Sequence, residues 1–258
     1  MKITVLVENT SLHPELSSEH GLSLFIETDR HTILFDMGQS DLFYHNAKRL
    51  GLDLSTVDLA ILSHGHYDHG GGLRRFLACN DHAPVYVHRA AFLPHYHGAE
   101  KYIGLDPTLE NENRFIRTQG DHPIDDQLCL LCFRETNRRF PLLTGSLSER
   151  VGDMLIPEDF RHEQYLMIQE GERRVLISGC SHKGILDLAN YYAPDILVGG
   201  FHVSKLPLDD TLDAMARRLA SYPIEYYTCH CTGTEQADFM KQRMPRLHTL
   251  SCGDCIEL

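Results

Sequence analysis

At 258 residues and 42% hydrophobic composition, the chain is long enough to bury a large core without disulfide staples. It lacks any run of about 18 or more apolar residues, the length a spanning helix needs, and MKITVLVENT enters a strand pattern directly, without the basic then apolar order of a leader. Lys plus Arg total 24 against 36 for Asp plus Glu, a formal charge of −12, which disfavours a broad phosphate-backbone interface because that requires a concentrated basic stripe. The expectation is therefore a soluble, cytoplasmic protein with no nucleic-acid partner and no membrane association; nothing in the sequence speaks to oligomeric state.

The eight cysteines, in a chain this long, read as free thiols, metal ligands or redox groups and not as a disulfide framework. The seventeen histidines are the compositional oddity, since imidazole is the commonest metal ligand.

In chain order, Lys2–Val7, Leu22–Thr28 and Thr32–Asp36 are apolar and β-leaning, and 40–50 has helical spacing. Leu59–Ser63 reads as a short buried strand. It runs into HGHYDHGGG, whose glycines suit a tight turn, and then into LRRFLA, the start of a helix. Val85–Val87 is a further strand. From 98 to 123 the pattern weakens into polar sequence, expected to be a loop excursion beside an active site.

Strands return at Gln127–Phe133, Gln164–Gln169 and Arg174–Ser178. Helix–strand pairs follow: 183–192 with Ile196–Val198, 210–220 with Glu225–Thr228, and 234–242 before a last strand at His248–Leu250. Strands alternating with helices imply an α/β protein. With no repeat or linker tract, residues 1–258 are expected to form a single domain.

The chemistry concentrates in Ser63-His64-Gly65-His66-Tyr67-Asp68-His69-Gly70-Gly71-Gly72, which places three imidazoles and one carboxylate within six residues, just after a short strand. Four ligand-capable groups in one turn can converge on a cation, and a merely solvated loop has no need of them.

This H-x-H-x-D-H run is the signature of the metallo-β-lactamase superfamily. With Glu19–Ser23, Ile33–Gly38, GCSHKGI at 179–185, GGFH at 199–202 and HCTG at 230–233, the chain resembles over its whole length the branch labelled ribofuranosylaminobenzene 5′-phosphate synthase-like metal-dependent hydrolases. The resemblance implies a four-layer αββα sandwich and two divalent metal ions. Zinc is favoured by histidine-rich ligation, with iron or manganese as alternatives. The implied activity is hydrolysis of a small anionic metabolite, with a phosphate ester first, through a metal-activated water. One alternative is a synthase condensing a pterin precursor with a ribosyl phosphate; another is a non-enzymatic, metal-bound small-molecule sensor.

By the same resemblance, His64 and His66 serve one metal and Asp68 and His69 the other, with Asp68 also orienting the nucleophile. His182 and His230 are further ligands. Where better-known members carry a bridging aspartate this chain has Cys180. Either its thiolate replaces that carboxylate, or Cys180 is a buried spectator and His182 alone reaches the metals. His202, at the end of ILVGGFH, is a candidate acid–base or substrate-contacting residue, against a ligand or an ordinary hydrogen-bonded histidine. Asp36 is placed to accept the second N–H of a ligand imidazole. His20 is expected at the rim or behind the ligands, and His162 is a minor candidate ligand. His95 is grouped with the surface and capping histidines. Cys129 and Cys132 read as buried thiols in a strand; Cys252 and Cys255 read as structural, against a metal or redox pair.

Overall fold

The computed structural model describes residues 1–142 and 147–258. Two compact units emerge, both discontinuous in sequence. The first comprises Met1–Gln119, Ser251–Leu258 and the described part of 144–163, and the second 164–250 with the described part of 120–143.

In the first unit, the described residues form a seven-stranded sheet in the order Cys255–Glu257, Lys2–Val7, Ser23–Glu27, Thr32–Phe35, Leu59–Ile61, Val85–His88 and Phe115–Thr118. Pairing is antiparallel as far as Thr32–Phe35 and parallel from there on. The inner parallel strands are buried at every position but one, which is why they read as continuous apolar runs without alternation. Leu6, Phe25, Leu34, Ala60 and Val85 form a core with Phe43, Ala47, Leu73 and Phe76 from the helices Leu42–Arg49 and Leu73–Cys79.

A smaller sheet in the same unit joins Met154–Pro157, Leu147–Val151, His95–His97 and Lys101–Tyr102. The hairpin Leu147–Val151/Met154–Pro157 is absent from the sequence expectations. Its one signal was the Gly152-Asp153 turn pair, since the first flanking run, LSERV, is mostly polar. The excursion 98–123 is also more ordered than expected. It contains Lys101–Tyr102, Phe115–Thr118, His122–Pro123 and the short turn Pro107–Leu109. These are brief, mostly exposed edge strands, so no buried face imposes a readable alternation on them.

The second unit's described sheet runs Leu247–Thr249, Glu225–Thr228, Ile196–Gly199, Arg173–Ser178, Tyr165–Glu170, Leu128–Leu131 and His122–Pro123. Its first four strands are parallel, with the helices Ile185–Tyr192, Asp210–Ala220 and Thr234–Lys241 between them in sequence. Leu188, Leu212, Leu219 and Met240 from these helices pack with Leu176, Leu197 and Tyr226 from the strands. Asp209 caps the longest helix, its carboxylate accepting from Thr211 N at 2.9 Å and Leu212 N at 3.4 Å.

The α/β expectation holds, and most predicted elements stand within two residues of the observed ones. The strand expected at His248–Leu250 stands as Leu247–Thr249, and one further strand, Cys255–Glu257, follows it. It pairs with Lys2–Val7 and brings Cys252 into the core, where its Sγ accepts from Glu8 N at 3.1 Å, while Cys255 lies exposed on the strand. That separation fits the structural reading of this pair.

One buried polar residue ties the helix Leu42–Arg49 to the first sheet. Asn46 Nδ2 donates to the carbonyls of Leu6 and Ser17, both at 2.8 Å, and Ser17 N donates back to Oδ1 at 3.3 Å. Removing one side of a buried hydrogen-bonded pair leaves its partners desolvated, at a cost of about 1–3 kcal/mol each. Asn46→Ala is therefore expected to lower the thermal midpoint by several degrees, as followed by circular dichroism.

Candidate metal centre

In a sheet of parallel strands, the segments leaving the C-terminal ends converge on one edge. Phe35 is in register with Ile61 in the first unit, so Asp36 and the Ser63–His69 segment emerge side by side. Ser178, Gly199 and Thr228 are in register in the second unit, which gathers Cys180 and His182, His202, and His230 at one edge of that sheet.

The turn Ser63–Gly72 is itself partly helical, with Tyr67–Gly70 forming one short helix. Its glycines are required by close approach more than by unusual backbone angles: Gly71 and Gly72 have φ of −61° and −77°. A Cβ on Gly65 would lie 2.1 Å from the carbonyl oxygen of Ala91, and one on Gly71 would lie 2.2 Å from that of Gln39. The ligand-bearing segment is thus pressed against neighbouring backbone, leaving room for glycine alone.

His64, His66 and His69 are buried, as is Asp68. The hydrogen-bond network assigns a tautomer to each ring. Asp36 Oδ2 accepts from His69 Nδ1 at 2.6 Å and from the Ser63 hydroxyl at 2.7 Å, while Oδ1 accepts from Ser63 N at 2.7 Å. With its own proton given to Asp36, Ser63 Oγ accepts from His64 Nδ1 at 2.8 Å. His66 Nε2 donates to Glu158, 3.1 Å from Oε2 and 3.2 Å from Oε1. The lone pairs therefore reside on Nε2 of His64 and His69 and on Nδ1 of His66. An imidazole that donates through one nitrogen to a buried oxygen and carries its lone pair on the other is what divalent-metal ligation demands, and the donor set fits such an ion. Asp36 takes the supporting position expected of it. His20 lies with Nε2 3.2 Å from Asp68 Oδ2, its side chain exposed.

Glu158 and His95 are residues that sequence reasoning missed. His95, expected at the surface, is fully buried, and its Nδ1 contacts Glu158 Oε1. Glu158 follows the unpredicted hairpin, so nothing local in the sequence pointed to it. His162 is buried and near the turn, but both its nitrogens are engaged: Nδ1 accepts from Gly65 N at 2.9 Å and Nε2 donates to Glu158 Oε1 at 3.0 Å. It makes a poor ligand for that reason.

In the second unit, Cys180, His182 and His230 are buried and His202 is partly so. Cys180, His202 and Cys231 bring ligand atoms within 4.8 Å of one another, and the His182 and His202 rings lie 4.1 Å apart. Burial would raise the Cys231 thiol pKa, but hydrogen bonding with Cys180 and His202 draws it well below its usual value. An apolar slot lined by Phe140, Ile185, Leu186, Phe201 and Met215 opens beside His182 and His202. A larger cavity of about 360 Å³, bounded by Tyr222, Tyr226 and Arg246, has no histidine or cysteine in its wall.

Asp36, Phe160, Ser181, His202 and His230 all adopt left-handed backbone with φ between 52° and 57°. Each such non-glycine conformation costs on the order of 1–3 kcal/mol, and all five lie in or beside these clusters.

Burial, and then the neighbouring His95, drive the His162 pKa well below 6.5. Burial acts to raise that of Glu158, but hydrogen bonds from His162, His66 and His95 hold it below the usual carboxylate range. Both directions act alike on stability. Below about pH 6.5 the unfolded chain takes up a proton at residue 162 that the folded chain refuses, and below about 4.5 it takes up another at residue 158. The urea midpoint of metal-free protein is expected to fall steadily from pH 7.5 to pH 5 and to fall less in His162→Gln.

Comparison with known proteins identifies the family. The metallo-β-lactamase superfamily model matches residues 18–224. An uncharacterized protein of Methanocaldococcus jannaschii is 29% identical, with 90% of each chain covered. From the same organism, 7,8-dihydropterin-6-methyl-4-(β-D-ribofuranosyl)-aminobenzene-5′-phosphate synthase is 24% identical over 96% of this chain and 94% of its own; it represents the branch that the sequence motifs resemble. The crystal structure of Tm1679, a metal-dependent hydrolase of the β-lactamase superfamily, superposes with a TM-score of 0.86 at 29% identity, covering 100% of this chain and 99% of that one. The chain belongs to the metallo-β-lactamase superfamily, and its fold is the metallo-β-lactamase fold.

Proposed function

We propose that this protein is a binuclear metal-dependent hydrolase acting on a small anionic metabolite, with a phosphate ester as the first candidate substrate. The observation that carries the reading is the hydrogen-bond pattern of the turn: one nitrogen of each of His64, His66 and His69 faces an oxygen of Ser63, Glu158 and Asp36 in turn, which fixes the orientation of all three rings. On the family's pattern, His64 and His66 hold one ion and Asp68 and His69 the other, with His182 and His230 as further ligands and Cys180 standing where the family carries a bridging aspartate. Cys180 is the odd member of this set, and a thiolate there favours zinc over harder ions, with iron and manganese as alternatives.

Divalent ions, when bound, supply Lewis acidity that lowers the pKa of water and polarises a substrate oxygen. The chain's own residues do the positioning. Asp68, with His20 against its carboxylate, orients the nucleophile, and His202 passes a proton to the leaving group. The apolar slot beside His182 and His202 receives the substrate's non-polar part, so the substrate combines an anionic head with a small apolar group. The substrate partner is a small molecule, and the acidic charge of −12 again disfavours nucleic acid. No described helix is long and apolar enough to cross a membrane.

A synthase reading is favoured by one observation, the relative named for that activity. It requires turnover only when two cosubstrates are supplied together.

Elemental analysis of purified protein, coupled to assays on phosphate mono- and diesters, lactones and thioesters, tests the proposal. About two metals per chain are expected, with Asp68→Ala losing at least one and its turnover falling by about 100-fold or more. A wild type that binds no zinc, manganese or iron on reloading and turns nothing over is a sensor or binding protein. Met215→Trp, which fills the slot, is expected to raise KM about tenfold with metal content unchanged, in line with the loss of a hydrophobic subsite worth 1–3 kcal/mol.

A further inference from the structure

Glu158 follows directly on the hairpin strand Met154–Pro157 and is almost wholly buried. Its two oxygens face three imidazoles, those of His66, His95 and His162. All four residues belong to the first unit, and their ligand atoms lie within 4.8 Å of one another. Two chemistries suit such a quartet: it holds a cation itself, or it is a hydrogen-bonded frame around one carboxylate.

The proton positions decide between them. The backbone N–H of Gly65 donates to His162 Nδ1 at 2.9 Å, so that nitrogen carries the ring's lone pair and the proton sits on Nε2, 3.0 Å from Glu158 Oε1. A cation in the quartet would need a lone pair at that Nε2. A carboxylate needs the proton, and the proton is what it meets. Glu158 in turn receives the Nε2 proton of His66. The bonds close a ring: Gly65 N–H to His162, His162 to Glu158, His66 to Glu158, and the peptide bond from Gly65 back to His66. This ring fixes both the backbone of the ligand turn and the tautomer of the central ligand. His95, whose partner in the small sheet is Glu149, braces the carboxylate from a third side.

We propose that Glu158 is a positioning residue of the metal centre, holding His66 as the tautomer that ligates through Nδ1, with His162 as the link from Glu158 to the ligand turn. The inference rests on the proposed metal-binding role of that turn. It adds a carboxylate outside the H-x-H-x-D-H motif on which the affinity of one metal depends. Loss of an outer carboxylate that supports a ligand imidazole typically weakens metal binding 10–100-fold.

The test titrates Zn²⁺ into metal-free wild type, Glu158→Gln and His162→Gln against a competing chelator, with stoichiometry checked by elemental analysis. The expected result is an unchanged number of ions per chain in Glu158→Gln, with one of them bound at least tenfold more weakly, and a smaller loss in His162→Gln. A Glu158→Gln protein that loses one whole ion at saturating Zn²⁺ overturns the proposal in favour of a cation within the quartet. A loss of affinity under tenfold overturns it in favour of a packing role. A wild type that binds no Zn²⁺ overturns instead the metal-binding reading on which the proposal rests.

Should Glu158→Gln fail to fold, ¹⁵N-histidine NMR of the Cd²⁺-loaded wild type gives the answer directly. Cadmium coupling to Nδ1 of His66, with a proton on Nε2, is expected; coupling to Nε2 overturns the proposal.

Discussion

The Asp36 carboxylate is the constraint on which the first half of the site depends. It is fully buried at the end of a parallel strand, held in left-handed backbone, and accepts three hydrogen bonds: two from Ser63 and one from His69. Because Ser63 spends its hydroxyl proton on Asp36, its oxygen must accept from His64. One carboxylate therefore sets two imidazole tautomers, the first directly and the second through a hydroxyl. A buried carboxylate is costly unless its lone pairs are filled. The arrangement that fills them here is the one that turns the lone pairs of two histidines away from the supporting oxygens, as a ligand requires.

Glu158 plays the matching part for His66 from a separate segment of the unit's sequence. The two carboxylates act on different nitrogens, Nδ1 of His69 and Nε2 of His66, so the turn offers unlike ring edges from residues only three apart. The close backbone approach at Gly65 and Gly71 holds the rings near enough for this to matter. Packing and hydrogen bonding are both directed at a few ring orientations, and the strained residues Asp36 and Phe160 lie beside the same rings. Conformations of that cost persist where the surroundings over-determine them.

The second unit repeats the plan with softer donors. Three adjacent parallel strands end in register, and the segments leaving them carry Cys180, His182, His202, His230 and Cys231. A thiol as buried as Cys231 would ordinarily stay neutral; its hydrogen bonds with Cys180 and His202 favour the thiolate. Sulfur and nitrogen donors side by side extend the range of metals this edge can take, and the apolar slot next to them gives the same edge a non-polar surface.

Much of this was legible in the sequence. Short apolar runs bounded by turn residues located the parallel strands, because a strand buried on both faces must be apolar throughout, and the H-x-H-x-D-H spacing located the ligand turn because all its members are local. Asp36 could be placed too, since it directly follows a strand adjacent to the one that feeds the turn. What the sequence by itself determined was thus the set of local elements and the donors each one carries. Tertiary structure alone decided that His66 meets Glu158, 92 residues away, that His95 is buried, and that His162 gives up both nitrogens to the protein. These depend on a hairpin whose strands are short and largely exposed and whose pairing with His95–His97 spans some 50 residues. The choice of partner for a ring nitrogen follows from where distant backbone runs, and no spacing along the chain records it.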